Sequence, residues 1–191
     1  YVDPHSPYEP GKRLYSVDNT ISFDVQFFAE SRYKDYLPDP EKARELRRQL
    51  VAAYDDEIRF NDSSVGEVIN LLRERDLLER SVIVLSSDHG EQLLERDQVG
   101  HTKRPHEEQI RIPWIIRVPG LGHRVVSQQV SQVDVLPSLL SLVGVPVPPD
   151  LDGRDVTGAQ VDEHLTFIEL DSKHMKCAAV RDRTEKLSKC E

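Results

Sequence analysis

Most of the chemistry-bearing residues of this 191-residue chain gather in one stretch. Ser87-Asp88-His89-Gly90-Glu91 follows directly on the apolar run Ser81-Val82-Ile83-Val84-Leu85-Ser86. An aspartate oxygen and an imidazole nitrogen on successive residues can hold one divalent cation, or one can hold it while the other supports it. Taken alone, the same run is better explained by Asp88 capping a following helix and His89 being an ordinary half-buried histidine. Eleven residues beyond Gly90 comes His101, in Gly100-His101-Thr102-Lys103, and then Glu107-Glu108 and Arg111-Ile112-Pro113. Histidine and lysine beside a cation suit an anionic substrate. Lys103 offers a point charge to a sulfate or phosphate oxygen, and His101 can donate a hydrogen bond or protonate a leaving oxygen. His5, between Pro4 and Ser6-Pro7-Tyr8, is a third candidate, held in a stiff loop.

These residues need a rigid base. The run from Ser81 to Ser86 has the composition of a strand buried on both faces, as in a parallel sheet between helix layers, and ligands of open α/β sheets bind beyond the carboxyl ends of strands. Trp114 to Val118 is a second such run, closed by Pro119-Gly120. Asp39 as cap and Pro40 at the first position predict a helix start. Apolar residues then recur at Leu46, Leu50, Ala53, Ile58, Val65, Ile69 and Leu72, on or near one face of a helix or of two consecutive helices, with Asn61-Asp62-Ser63-Ser64 the expected place of an interruption. A third helix is predicted from Asp134 to Val143, ended by Gly144, with strands near Ile21 to Phe28 and Leu165 to Glu169. The alternation predicts an α/β fold, a layered sheet flanked by helices.

Composition narrows the function classes. A 38% hydrophobic and 31% charged chain with a net charge of −9 is not that of a nucleic-acid or anionic-membrane binder, and no segregated basic patch offsets the acidity. No apolar stretch approaches the roughly 20 residues that span a bilayer. Cys177 and Cys190 are too few for a disulfide framework or a cysteine-type zinc site, and leave the redox compartment open. Tyr1 opens directly onto Val2-Asp3-Pro4-His5, which reads as the interior of a longer protein.

Taken together, Asp3-Pro4-His5-Ser6-Pro7-Tyr8, the stretch from Tyr54 to Leu72, Ser87-Asp88-His89-Gly90-Glu91, Gly100-His101, Glu107 to Trp114, and Asp134-Val135-Leu136-Pro137-Ser138-Leu139 through Gly153 resemble the sulfatase family of the alkaline phosphatase superfamily. The resemblance implies an alkaline phosphatase-like layered fold, present as an incomplete domain. Residues 1–158 would be the C-terminal part of the catalytic domain and 159–191 a divergent terminal segment of it. It implies that Asp88 and His89 are metal ligands and that His101, Lys103 and His5 face the sulfate or phosphate group. The expected cation is calcium, with manganese or zinc as alternatives. Histidine at position 89, where many sulfatases have asparagine, is similar instead to phosphonate and phosphodiester hydrolases of the superfamily and to many bacterial sulfatases.

The resemblance further implies a sulfate ester substrate, small or glycan-borne, and a secreted or periplasmic setting. The family's formylglycine nucleophile, made from Cys or Ser in a Cys/Ser-x-Pro-x-Arg setting, has no counterpart around Cys177 or Cys190. It is therefore expected upstream, and the isolated chain is expected to be inactive. Two other readings stand beside sulfate ester hydrolysis. One is a phosphodiester or phosphonate monoester hydrolase or a phosphoglycerol transferase of the same superfamily, and the other is a non-catalytic binding module.

Overall fold

In a computed structural model of the chain, residues 8, 27–28, 30–101, 104–158, 164–172 and 175–191 are described. In chain order their helices and strands are α1 (Pro40–Glu74), β1 (Ile83–Ser86), β2 (Gln92–Leu93), β3 (Val99–Gly100), α2 (Glu107–Ile110), β4 (Trp114–Arg117), α3 (Val135–Leu142), β5 (Thr166–Ser172), β6 (Met175–Arg181) and β7 (Lys186–Cys190). Two compact units result: Tyr1–Leu78 with Glu91–His101, and Glu79–Gly90 with Thr102–Glu191. No described helix is long and apolar enough to cross a membrane.

The first unit is organised by α1. Asp39 caps it as its sequence requires, accepting the Glu41 and Lys42 backbone N–H groups at 3.0 and 3.2 Å, with Pro40 at the first helical position. Leu46, Leu50 and Ala53 recur at helical spacing on its buried face and pack with Tyr8, Phe27, Tyr33, Leu94 and Val99. The expected interruption at 61–64 is absent, and α1 runs unbroken through it. The Ser63 and Ser64 hydroxyls donate to the Phe60 carbonyl at 2.6 and 3.2 Å, so they are satisfied inside the helix instead of competing with it. Phe27 and Phe28 are helical and do not end a strand. Both rings join the same aromatic cluster, 5.3 Å apart edge to face, whereas a strand would send neighbours to opposite faces. The rest of the strand expected from Ile21 lies outside the described residues.

In the second unit β1 pairs with β4, and the pairing is antiparallel, which corrects the expected parallel sheet. The chain between them makes a loop excursion rather than a helical crossover, so it returns at the end where it left, with Ser86 opposite Trp114. Among the described residues this sheet has two strands, and β1 is half-exposed rather than buried on both faces. Ile115 on β4 is 60% exposed. β1, β4, α2 and α3 make this unit mixed α/β.

Helix α3 is held at its N-terminal end by Asp134. That buried carboxylate accepts the Ser131 backbone N–H at 2.8 Å and the Arg154 backbone N–H at 2.9 Å. The loop that follows the helix therefore folds back on its start. Gly153 is needed for this contact, because a Cβ there would lie 1.9 Å from the Val133 carbonyl oxygen. Gly144, at φ +73°, ends the helix as expected.

Strands β5, β6 and β7 form an antiparallel meander, of which the sequence predicts the first strand only as Leu165 to Glu169. Cys177 stands opposite Cys190 in its register and forms a disulfide with it. The flanking residues Lys176 and Glu191 exchange both backbone hydrogen bonds, so the cysteines occupy a non-hydrogen-bonded pair, where side chains approach most closely. The bond closes a loop with a sequence separation of 13. Cys190→Ser is expected to cost about 3 kcal/mol, read as a lowered denaturant midpoint under non-reducing conditions.

The meander also anchors α2. Glu107, in the first turn of α2, accepts hydrogen bonds from Lys186 Nζ at 2.9 Å and from Arg181 Nη1, and Lys186 also reaches the Pro105 carbonyl at 2.7 Å. Partial burial pushes the Glu107 carboxyl up, but these two cations more than offset it and hold it below the usual range. A lowered folded value means that the stabilisation is complete above the ordinary glutamate range, about pH 4.3, and is lost as pH falls through the lowered value. Glu107→Gln is therefore expected to cost about 1 kcal/mol at neutral pH, with the difference from wild type closing in acid. Stability measured from pH 7 to pH 2 checks this.

Candidate functional site

Asp88 and His89 lie in the loop that leaves β1, where the sequence places them. Hydrogen bonds within the loop and to its neighbours hold it in place. Ser86 Oγ donates to the Pro113 carbonyl at 3.0 Å, Ser87 Oγ to the His89 carbonyl at 2.6 Å, the Gly90 N–H to the Gln109 carbonyl at 2.7 Å, and Gln132 Nε2 to the Ser87 carbonyl at 2.9 Å. Gly90 touches α2 so closely that a Cβ would stand 2.2 Å from the Glu108 carbonyl oxygen. A chain of contacts thus runs from the meander through Glu107 and α2 to the loop.

Asp88 does not cap a helix. Its Oδ1 accepts the His89 backbone N–H at 2.9 Å, and the side chain is 85% exposed. That hydrogen bond, with the charge of His89 and the Ser87 hydroxyl adding to it, holds the carboxyl below the usual aspartate range against a small burial effect. Asp88 is thus an accessible anion at neutral pH. The His89 ring is fixed as well. Nδ1 lies 3.0 Å from the Gly90 carbonyl, which can only accept, so Nδ1 carries a proton and Nε2 is the nitrogen whose lone pair is available for a cation. Nε2 stands 3.7 Å from Asp88 Oδ2.

The donor set fits part of a metal shell. Two donors bound to one cation at about 2.0–2.5 Å stand roughly 3–3.5 Å apart, a little closer than Asp88 Oδ2 and His89 Nε2. A backbone carbonyl that fixes the far nitrogen of a histidine is the usual support for a metal ligand. Among the described residues no group of three or more His, Cys, Asp or Glu side chains could hold a metal.

His101 belongs to the first unit, with its Nδ1 3.2 and 3.3 Å from the two carboxylate oxygens of Glu91. Sequence reasoning gave Glu91 no role. The signal it lacked is the register of β2 and β3, which pairs Gln92 with Gly100 and so sets residue 91 opposite residue 101. His5 and Lys103 lie outside the described residues.

Fold and loop together define a mixed α/β protein that overlays part of the sulfatase and phosphonate hydrolase fold. A phosphonate monoester hydrolase from Silicibacter pomeroyi matches with a TM-score of 0.69 and 26% identity, covering 88% of this chain and 36% of that one. A 2-O glycosaminoglycan sulfatase matches with a TM-score of 0.70 at 18% identity, covering 83% of this chain and 37% of that one, and shares the fold. The sequence profile of the family named Sulfatase matches residues 3–145. The chain belongs to the sulfatase family.

Among curated relatives, arylsulfatase K of Canis lupus familiaris is 37% identical over 93 residues, 48% of this chain. An extracellular sulfatase SULF-1 homolog of Drosophila melanogaster is 31% identical over 167 residues, 80% of this chain. The chain spans 17% of the first relative's length and 14% of the second's.

Proposed function

We propose that this chain is the C-terminal part of a sulfatase catalytic domain, and that the protein hydrolyses sulfate esters with a divalent cation. Residues 1–158 and the segment 159–191 form one domain in this reading, with an alkaline phosphatase-like layered sheet completed by sequence outside the chain. The observation that carries it is the loop after β1, where an exposed anionic Asp88 stands beside a His89 ring whose Nε2 lone pair is fixed by the Gly90 carbonyl.

Asp88 and His89 are two of the metal ligands, and the remaining ligands and the formylglycine nucleophile come from outside this chain. Calcium is the preferred ion, with manganese or zinc as alternatives. When bound, a divalent cation stabilises developing negative charge on the ester oxygens and favours the ionised nucleophile. His5 and Lys103 neutralise charge on the nonbridging oxygens, and His101 serves the leaving oxygen. A secreted setting agrees with the disulfide of the meander, which persists in oxidising compartments.

A second reading has a specific observation in its favour. The phosphonate monoester hydrolase match, together with histidine rather than asparagine at position 89, suits hydrolysis of a phosphonate or phosphodiester on the same site. A solved relative carries D-glucosamine-2-N,6-O-disulfate as its substrate, which makes a sulfated sugar the first substrate to try.

The test is a substrate panel on the full-length protein, comparing aryl and sugar sulfates with phosphate monoesters, diesters and phosphonates, with and without chelator. Chelator-sensitive sulfate turnover is the expected result. Preference for a phosphorus ester transfers the protein to the second reading, and absence of turnover on every ester leaves a non-catalytic binding module.

A further inference from the structure

The β2–β3 hairpin does more than join two strands. Its register makes residues 91 and 101 the next opposed pair beyond Gln92 and Gly100, and both ring-facing oxygens of Glu91 lie within 3.3 Å of His101 Nδ1. Glu91 is 4% exposed at its side chain and His101 21%, so the pair runs from the interior of the unit toward its surface. A carboxylate can only accept, which assigns a proton to Nδ1.

The surroundings hold this arrangement. Gly100, immediately before His101, has φ +94°, a conformation that keeps glycine at this position. Tyr8, 5% exposed, lies on the interior side, where burial first and then the charges of Glu91, Tyr54 and Glu57 push its hydroxyl up, so it stays a neutral phenol. The imidazole is thus backed by a carboxylate set in a packed wall.

We infer that Glu91 is the positioning residue for His101, fixing the ring's tautomer and orientation so that Nε2 delivers a proton to the leaving oxygen of the ester. This rests on the proposed role of His101 in ester hydrolysis. As the oxygen nucleophile bonds to sulfur, the S–O bond to the leaving group breaks and its electron pair stays on the leaving oxygen. That oxygen takes the proton from Nε2 of the doubly protonated ring, which becomes neutral and keeps its proton on Nδ1.

The experiment uses the full-length protein with Glu91→Leu, Glu91→Gln, His101→Gln and the Glu91→Leu/His101→Gln double variant. kcat/KM is measured across aryl sulfates of graded leaving-group acidity, alongside 15N spectra of the histidine rings. Glu91→Leu should lose about 10²-fold on the poorest leaving group and only a few-fold on the best. Glu91→Gln, whose amide oxygen still accepts from Nδ1, should recover most of the loss, and Glu91→Leu should add nothing once His101 is glutamine. The neutral His101 ring should carry its proton on Nδ1 in the wild type. Equal losses on all leaving groups, a loss that persists without His101, or a proton on Nε2 would overturn the inference. Should the wild type turn over no ester, the sulfatase reading falls and the nitrogen spectra decide the tautomer assignment alone.

Discussion

Replacing Asp88 with alanine is expected to lower ester hydrolysis by the full-length protein on the order of 10³-fold while leaving the thermal midpoint of the chelator-treated, metal-free protein unchanged. The separation of these two outcomes follows from the geometry. Asp88 is 85% exposed, and within the loop it makes a short contact with the backbone N–H of its neighbour, so little packing is lost with it. What is lost is an anionic oxygen placed beside His89 Nε2. Asp88→Asn keeps an oxygen acceptor for that N–H but removes the charge, and it should fall close to the alanine variant in activity and bound metal. Activity assays, metal analysis and, after chelator treatment, a thermal melt on the same preparations check all three statements.

Gly90→Ala is expected to damage fold and site together. The added Cβ would lie 2.2 Å from the Glu108 carbonyl oxygen and 3.2 Å from its carbon, and both are backbone atoms that no rotamer change can move. The loop must then withdraw from α2, at the expense of the hydrogen bond from Gly90 to the Gln109 carbonyl and of the His89 ring orientation that Gly90 fixes. A destabilisation of about 3 kcal/mol and loss of most activity are the predicted results, read by denaturant unfolding and by turnover. Gly66 provides the contrast. It sits inside α1, and among the described residues nothing outside its own helical backbone comes within 4 Å of its prospective Cβ, so Gly66→Ala should stabilise the protein by about 1 kcal/mol and leave activity alone.

What was legible in the sequence was local. The Asp39-Pro40 helix start needs only its own next three residues, and it forms as read. The apolar run ending at Ser86 is a strand for the same reason. Its partner's direction is different, because that depends on the path of the chain from 87 to 113, which turns back instead of crossing over. Asn61 to Ser64 reads as a break by residue type, yet serine hydroxyls that bond back to Phe60 fit inside a helix already stabilised by neighbouring turns. The cysteine pair was illegible because it depends on the β6–β7 register, which aligns positions 13 apart.

The candidate site divides along the same line. Asp88 and His89 are adjacent in sequence and so adjacent in space, and their loop was readable from the strand before it. Glu91 and His101 meet only through a hairpin of two-residue strands, too short to leave a periodic signal. The tautomer of His89 was likewise hidden, since it depends on where the Gly90 carbonyl turns.

The most direct test of the account is anomalous X-ray diffraction from crystals of the full-length protein grown with calcium or manganese. A single strong peak is expected within coordination distance, about 2.0–2.5 Å, of an Asp88 carboxylate oxygen and of His89 Nε2. An active, metal-dependent preparation whose peak lies away from both residues would contradict it.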